Sequence, residues 1–360
     1  MPTTKRPELF IPGPVEVHPK VLAAMGERMI GHRAPEFSEL YFSLIPPLRE
    51  VLRAPTHEIF LFTCSATGIM EAGLRNIGRG KVLSLVCGAF SQRWHEIALA
   101  CGLEADKLEV PWGSAITAAQ VDEALAKGGY SAVTLVHNET STGVMNPLAD
   151  IAAVVRRHKD VMLFVDTVTS MAAVPIAVEE LGLDLCLAGV QKAWGLPPGF
   201  ALCTVSPRLM EASNTAAGKG YYFDFQAMAK SAKKGQTPAT PSVSHMYALK
   251  AALDLMFAEG LEKRWARHAG MAARCQAWAR ERWGLFAQPG YESVTLTCVS
   301  NPRNLDLSAL ISHLLEQGIR ISGGYGKLKG ATFRIAHMAE RRPEELNDLL
   351  ARIDRWQDGL

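Results

Sequence analysis

Short apolar runs separated by longer stretches of helical spacing occupy the first two-thirds of the chain. Runs of strand length fall at 58–62, 82–86, 132–137, 161–166, 183–188 and 201–205. They are near-continuously apolar rather than alternating, the pattern of strands covered on both faces. Between them, Thr117-Ala118-Ala119-Gln120 reads as a capping box opening a helix to Leu125, and Lys127-Gly128-Gly129 stops it. Residues 147–158 place Leu148, Ile151, Val154 and Val155 on one helical face. Strand–helix alternation of this kind predicts an α/β domain with a mainly parallel mixed sheet sandwiched by helices.

After about Pro241 the pattern changes. Helices are expected at 243–259, 262–282, 308–317 and 343–356, and strands only at 293–299 and 332–337. This reads as a smaller α+β unit, giving a large domain at 15–255 and a small one at 256–360 that includes residues 1–14. The length of 360 residues fits one large or two ordinary domains.

Composition narrows the class without naming chemistry. Lys+Arg 38 against Asp+Glu 36 leaves +2, which argues against a nucleic-acid binder. Lys230, Lys233 and Lys234 form the one basic cluster, and a solvated helix face accounts for it. No apolar run reaches the ~20 residues of a membrane span. Met1 to Leu9 carries Lys5, Arg6 and Glu8 with no apolar core, so no signal peptide is expected. The seven cysteines are scattered with no C-x-x-C pair, as in a reduced cytoplasmic protein without a disulfide frame or zinc site.

Four stretches could carry chemistry. Lys192 follows an apolar run and precedes a Gly/Pro-rich turn. Between Asp160 and Gly218 its only cationic company is Arg208. Desolvation would lower its pKa and free the amine as a nucleophile, although a loop lysine reaching to water has the same local sequence. Asp166 ends the run Val161-Met162-Leu163-Phe164-Val165, where ligands bind in open α/β sheets; an N-cap is the alternative. Ser65-Ala66-Thr67-Gly68 stands at a strand-to-helix junction suited to an anion. His137-Asn138-Glu139-Thr140-Ser141-Thr142-Gly143 brings polar donors to another strand end.

Together with Ile11-Pro12-Gly13-Pro14, Gln92-Arg93, Gln191-Lys192, the 26-residue separation of Asp166 and Lys192, and Phe333-Arg334-Ile335, these motifs resemble the fold-type I pyridoxal-phosphate (PLP) enzymes. More narrowly they resemble the class V aminotransferases of the alanine–glyoxylate / serine–pyruvate type, over nearly the whole chain. The resemblance implies that Lys192 forms the internal aldimine with PLP and then shuttles the substrate proton. It implies that Asp166 pairs with the pyridine nitrogen, and that Ser65, Ala66 and Thr67, with Gln191, cradle the phosphate. Thr140 would bond the ring hydroxyl. Phe90 would stack on the ring where the family commonly has Trp. Nearby Trp94 is expected in the core. Thr237 and Thr240, in Gln236-Thr237-Pro238-Ala239-Thr240-Pro241, match a segment reaching the neighbouring subunit's phosphate, which implies a homodimer with a shared site. Thr237 stands where the animal enzymes often carry Tyr. Arg334 would bind the substrate carboxylate, and Gly13 would line the mouth.

Arg334 also has its own physical case. It interrupts an apolar strand, where an unpaired guanidinium is costly, and its planar fork suits a carboxylate; a structural salt bridge is the alternative. The implied reaction moves an amino group from alanine or serine to glyoxylate or pyruvate by a ping-pong route. Aspartate, phosphonate and ureidoglycine donors remain open, and His32-Arg33 could add a second cation for a longer acid. A cysteine desulfurase would carry His rather than Gln191 before the lysine, and its active cysteine on a loop, whereas Cys298 ends a strand-like run. A surface pair is the alternative for His32-Arg33. A nicotinamide dehydrogenase would need G-x-G-x-x-G after its first strand; the late Gly323-Gly324-Tyr325-Gly326 reads as a flexible loop beside the Arg334 strand. A non-catalytic partner subunit would have little reason to keep Lys192, Asp166 and Arg334 together.

Overall fold

The computed structural model describes residues 6–359. The reading of Met1 to Leu9 as carrying no signal peptide lies in part outside them, as do residues 1–5 and 360 of the expected small domain.

Seven strands form one sheet: β1 (Glu58–Phe62), β2 (Lys81–Val86), β3 (Glu104–Glu109), β4 (Tyr130–Val136), β5 (Met162–Asp166), β6 (Leu185–Gly189) and β7 (Ala201–Val205). Their spatial order is β1-β7-β6-β5-β4-β2-β3. β7 runs antiparallel to both its neighbours, and every other pair is parallel. The side chains explain why these strands read as continuous apolar runs. Leu83, Leu85, Val133, Leu135, Leu163, Val165, Cys186 and Ala188 enter one core. Val82, Ala132, Val136, Phe164, Leu185 and Leu187, alternating with them, enter a second core on the opposite face.

The Thr117 capping box forms as expected. Thr117 N–H donates to Gln120 Oε1 at 2.9 Å, and Gln120 N–H donates to Thr117 Oγ1 at 3.3 Å. Among the elements that escape the sequence pattern, two are informative. Strand β3 is an edge strand with alternate exposure and a charged face, tied to its neighbours through Asp106, which accepts from Tyr130 Oη at 2.6 Å and pairs with Lys81 at 2.7 Å. Helix Pro35–Leu52 runs through Pro46 and Pro47, each of which removes a backbone donor. Its buried Phe37, Leu40, Tyr41, Leu44, Leu48 and Val51 keep helical spacing and outweigh the lost backbone bonds.

A second, antiparallel sheet has the order β8 (Leu296–Ser300), β10 (Thr332–Ala336), β9 (Ser322–Gly323). Helices Leu261–Arg282, Leu307–Glu316 and Pro343–Asp358 share its core, which also takes Phe10. Glu8–Leu9 pairs in parallel with Ile319–Arg320. The expected flexible glycine loop is in part a strand: Ser322 and Gly323 pair with Arg334 and Phe333. A Cβ on Gly324 would lie 2.0 Å from the Leu328 carbonyl oxygen, so the turn closes too tightly for any side chain. Cys298 sits inside β8, opposite Arg334, rather than at its end. Among the described residues no helix is long and apolar enough to cross a membrane.

Candidate active site

The C-terminal ends of β4, β5 and β6 lie side by side, with Val136 opposite Asp166 and Asp166 opposite Leu187. Their turns open on one cleft of about 400 Å³. Of the residues singled out in the sequence, Gly13, Ser65, Ala66, Thr67, Phe90, Thr140, Asp166, Gln191, Lys192 and Arg334 all line it. Thr237 and Thr240 do not. They line a separate groove beside Thr63, Tyr221 and Tyr222 of the same chain.

Lys192 is 7% exposed. Its Nζ donates to Thr140 Oγ1 at 2.7 Å and to Thr169 Oγ1 at 2.6 Å, and lies 5.3 Å from the centre of the Phe90 ring. Burial pushes the amine down to about 8. Burial likewise pushes the Asp166 carboxyl up to about 6, against the pull of the Val168 amide, which donates to Oδ1 at 2.7 Å, and of the Lys192 charge. Asp166 has no ion-pair partner among the described residues.

The helix Ala66–Asn76 starts at the cleft wall. Its N-cap Ser65 makes no capping hydrogen bond, so the first amides and the hydroxyl keep their donors for an anion. Gly189 makes room for this junction: a Cβ there would fall 2.8 Å from Gln191 Oε1 and 3.3 Å from the Ala66 Cβ. Gly13 presses against Lys192 in the same way, with φ +100° and a Cβ that would lie 3.1 Å from Lys192 Cγ.

Arg334 is buried without a carboxylate. Its Nε donates to the Gly323 carbonyl at 3.2 Å and Nη1 to the Thr140 carbonyl at 3.3 Å, while the Tyr325 ring lies 5.5 Å below. Of the two readings of this residue, the structural salt bridge is absent among the described residues. Desolvation holds its pKa below the ordinary value. His32 and Arg33 do not line this cleft. Arg33 spends its guanidinium on Gln236 and on the carbonyls of Thr237 and Pro238, at 2.6 and 3.1 Å for the latter two. The cleft's further cation is Arg93. It stacks on Phe90 at 4.9 Å and donates to Tyr325 Oη at 3.4 Å. Trp94 is fully buried, its Nε1 donating to the Met70 carbonyl at 3.2 Å.

Sequence reasoning assigned no role to Thr169, Arg93, Tyr325 or Glu139. The fully buried Glu139 carboxylate accepts from the Phe90 amide at 3.1 Å, from the Ser91 amide and hydroxyl at 3.0 Å each, and from the Ser141 hydroxyl at 2.7 Å. It thereby satisfies the first turn of helix Ala89–Ala100 and fixes Phe90 over the cleft. Its place in the polar run after β4 was the only available signal.

The donor set fits pyridoxal phosphate. A buried amine can carry the aldehyde carbon, an unpaired carboxylate can take a pyridine N–H, an uncapped helix start can take the phosphate, and a free guanidinium can take a substrate carboxylate.

Comparison with known proteins agrees with this chemistry. The aminotransferase class-V family model matches residues 8–334. The chain is 35% identical over 349 residues to the L-aspartate–glyoxylate aminotransferase of Paracoccus denitrificans, covering 93% of this chain and 87% of that one. It is 32% identical over 362 residues to the serine–glyoxylate aminotransferase of Arabidopsis thaliana, covering 97% and 90%. The solved alanine–glyoxylate aminotransferase of Nostoc sp. superposes with a TM-score of 0.91 at 30% identity, covering 97% and 95%. The fold, the donor set of the cleft and these likenesses together show that the chain belongs to the class V aminotransferases, pyridoxal-phosphate enzymes of fold type I.

Proposed function

We propose that the protein transfers the amino group of a small amino acid, alanine or serine, to glyoxylate or pyruvate, donor and acceptor using one cleft in turn. One observation carries the reading. The Lys192 amine and the Arg334 guanidinium, both buried and both without a carboxylate partner among the described residues, open on the same cleft as Asp166. The names of the three relatives reported above support the acceptor: those three differ in the donor and share glyoxylate.

In this reading Lys192 carries the cofactor and afterwards moves the proton at the substrate Cα. Asp166 keeps the pyridine nitrogen protonated. Ser65, Ala66, Thr67 and Gln191 hold the phosphate, Thr140 the ring hydroxyl, and Phe90 the ring face. Arg334 binds the substrate carboxylate and Gly13 lines the mouth. When bound, the protonated ring of PLP withdraws electrons from Cα. Thr237 and Thr240, outside the cleft of their own chain, serve a neighbouring subunit in a homodimer. Residues 15–255 carry the cofactor, and 256–360 with 1–14 bring Arg334 to the substrate. Free cysteines, mostly buried, support a reducing, cytoplasmic setting.

A second reading has support from Arg93. A further cation in the cleft, without an ion pair among the described residues, would suit the distal carboxylate of aspartate. The test is a half-reaction screen in which alanine, serine and aspartate are each mixed with PLP-loaded protein while conversion to the pyridoxamine form is followed by absorbance. Conversion by none of them overturns the transaminase reading. Borohydride should fix the cofactor to the wild type and not to Lys192→Ala.

A further inference from the structure

Three strand ends converge on the Lys192 amine. Thr140 stands after β4, Thr169 after β5 and Lys192 after β6. Their polar atoms form a triangle with sides of 2.7, 2.6 and 2.6 Å. Thr140 and Thr169 are each 3% exposed, so solvent does not compete for these bonds.

The proton inventory of this triangle is restrictive. A neutral amine has two N–H groups and one lone pair. Both N–H groups are taken by the threonine oxygens, so the lone pair faces away from them, toward the open side of the cleft. An ammonium in the same place would keep a third N–H with no partner. The hydroxyl–hydroxyl contact uses one hydroxyl proton and leaves the other free for a ligand oxygen.

We propose that Thr169 is a positioning residue that, with Thr140, holds the Lys192 amine by both of its N–H groups and aims its lone pair at the cofactor and the substrate Cα. The proposal rests on the PLP reading above and extends it to a residue that reading does not use. In the linkage step the lone pair forms the bond to the aldehyde carbon, and the two N–H protons leave with the aldehyde oxygen as water. In turnover the same lone pair takes the Cα proton. A lysine held by Thr140 alone swings about one hydrogen bond, and its lone pair samples directions that do not react.

The experiment uses cofactor-free full-length protein: wild type, Thr169→Val, Thr169→Ala and Thr169→Ser. Linkage of pyridoxal 5′-phosphate is followed by absorbance across pH. Binding of pyridoxamine 5′-phosphate, which forms no bond to lysine, is measured separately by calorimetry. Thr169→Val and Thr169→Ala should link about tenfold more slowly, the loss of one hydrogen bond, even at pH values where the amine is neutral in every variant. The pH midpoint of linkage should fall, because the ammonium loses an acceptor. Pyridoxamine 5′-phosphate affinity should hold, and Thr169→Ser should recover most of the rate. Linkage at the wild-type rate and midpoint in the Val and Ala variants overturns the proposal. So does failure of Thr169→Ser to recover, or joint loss of pyridoxamine 5′-phosphate affinity, which would make Thr169 a support for the whole site. A wild type that links no pyridoxal phosphate instead overturns the proposed function itself.

Discussion

Arg334 Nη1 donates to the carbonyl of Thr140 at 3.3 Å, a contact between residues 194 positions apart. It joins the three-stranded sheet to the turn whose hydroxyl holds Lys192. The guanidinium thus reaches the cleft tied only to neutral carbonyls, with its charge uncompensated by any carboxylate among the described residues.

Arg334→Ala should therefore keep bound cofactor and lose donor affinity. A charge-assisted bidentate contact is worth about 1.5–3 kcal/mol, so kcat/KM for the donor should fall about 10- to 100-fold. Arg334→Lys should recover little, because an ammonium cannot copy the fork. Steady-state kinetics of both variants check this, and an unchanged kcat/KM would remove Arg334 from substrate binding.

The two buried ionisable groups predict opposite pH trends in the cofactor-free protein. Between about 8 and 10.5 the unfolded chain binds a proton at Lys192 that the folded chain does not, so stability rises with pH there, and the burial penalty is full below about 8. Between 3.8 and about 6 the folded chain binds a proton at Asp166 that the unfolded chain does not, so stability falls as pH rises through that window. Urea unfolding of wild type against Lys192→Met and against Asp166→Asn isolates each contribution. A difference flat in pH would contradict the assignment.

Glu139→Gln should be costly although it changes no volume. The amide keeps one acceptor oxygen and turns N–H donors toward the donors of Phe90, Ser91 and Ser141. With buried donors left unpaired, unfolding free energy should drop by about 2–5 kcal/mol. Denaturant unfolding measures this, and wild-type stability would show that the helix start needs no carboxylate.

Arg93→Ala separates two roles for that residue. If Arg93 receives a distal carboxylate, kcat/KM for aspartate should fall about tenfold or more below the change for alanine. An equal fall for both donors would make Arg93 a support for Phe90 and Tyr325, which it touches at 4.9 and 3.4 Å.

Much of the large sheet was legible. Strands covered on both faces must be apolar at every position, so six of the seven could be read with ends within about two residues. Strand β3 could not, because none of its residues is fully buried and Glu104, Asp106, Lys107 and Glu109 leave no apolar run to read. Helix Pro35–Leu52 was hidden by Pro46 and Pro47, whose local cost is overcome by packing that no local pattern records.

Within the site the same division holds. The sequence by itself determined that Asp166 and Lys192 stand at ends of buried strands, since a polar residue closing an apolar run marks where a strand leaves the core. It also determined the family, through motifs spread from Gly13 to Arg334. Only the tertiary structure decided that Thr169 meets Lys192, that Arg93 and not Arg33 shares the cleft with Arg334, and that Glu139 holds the Phe90 amide. These are polar residues in a turn, in a two-residue strand or on a helix face, where no periodicity constrains them. Their partners follow from the order β6-β5-β4 across the sheet, which brings together turns that the chain keeps far apart.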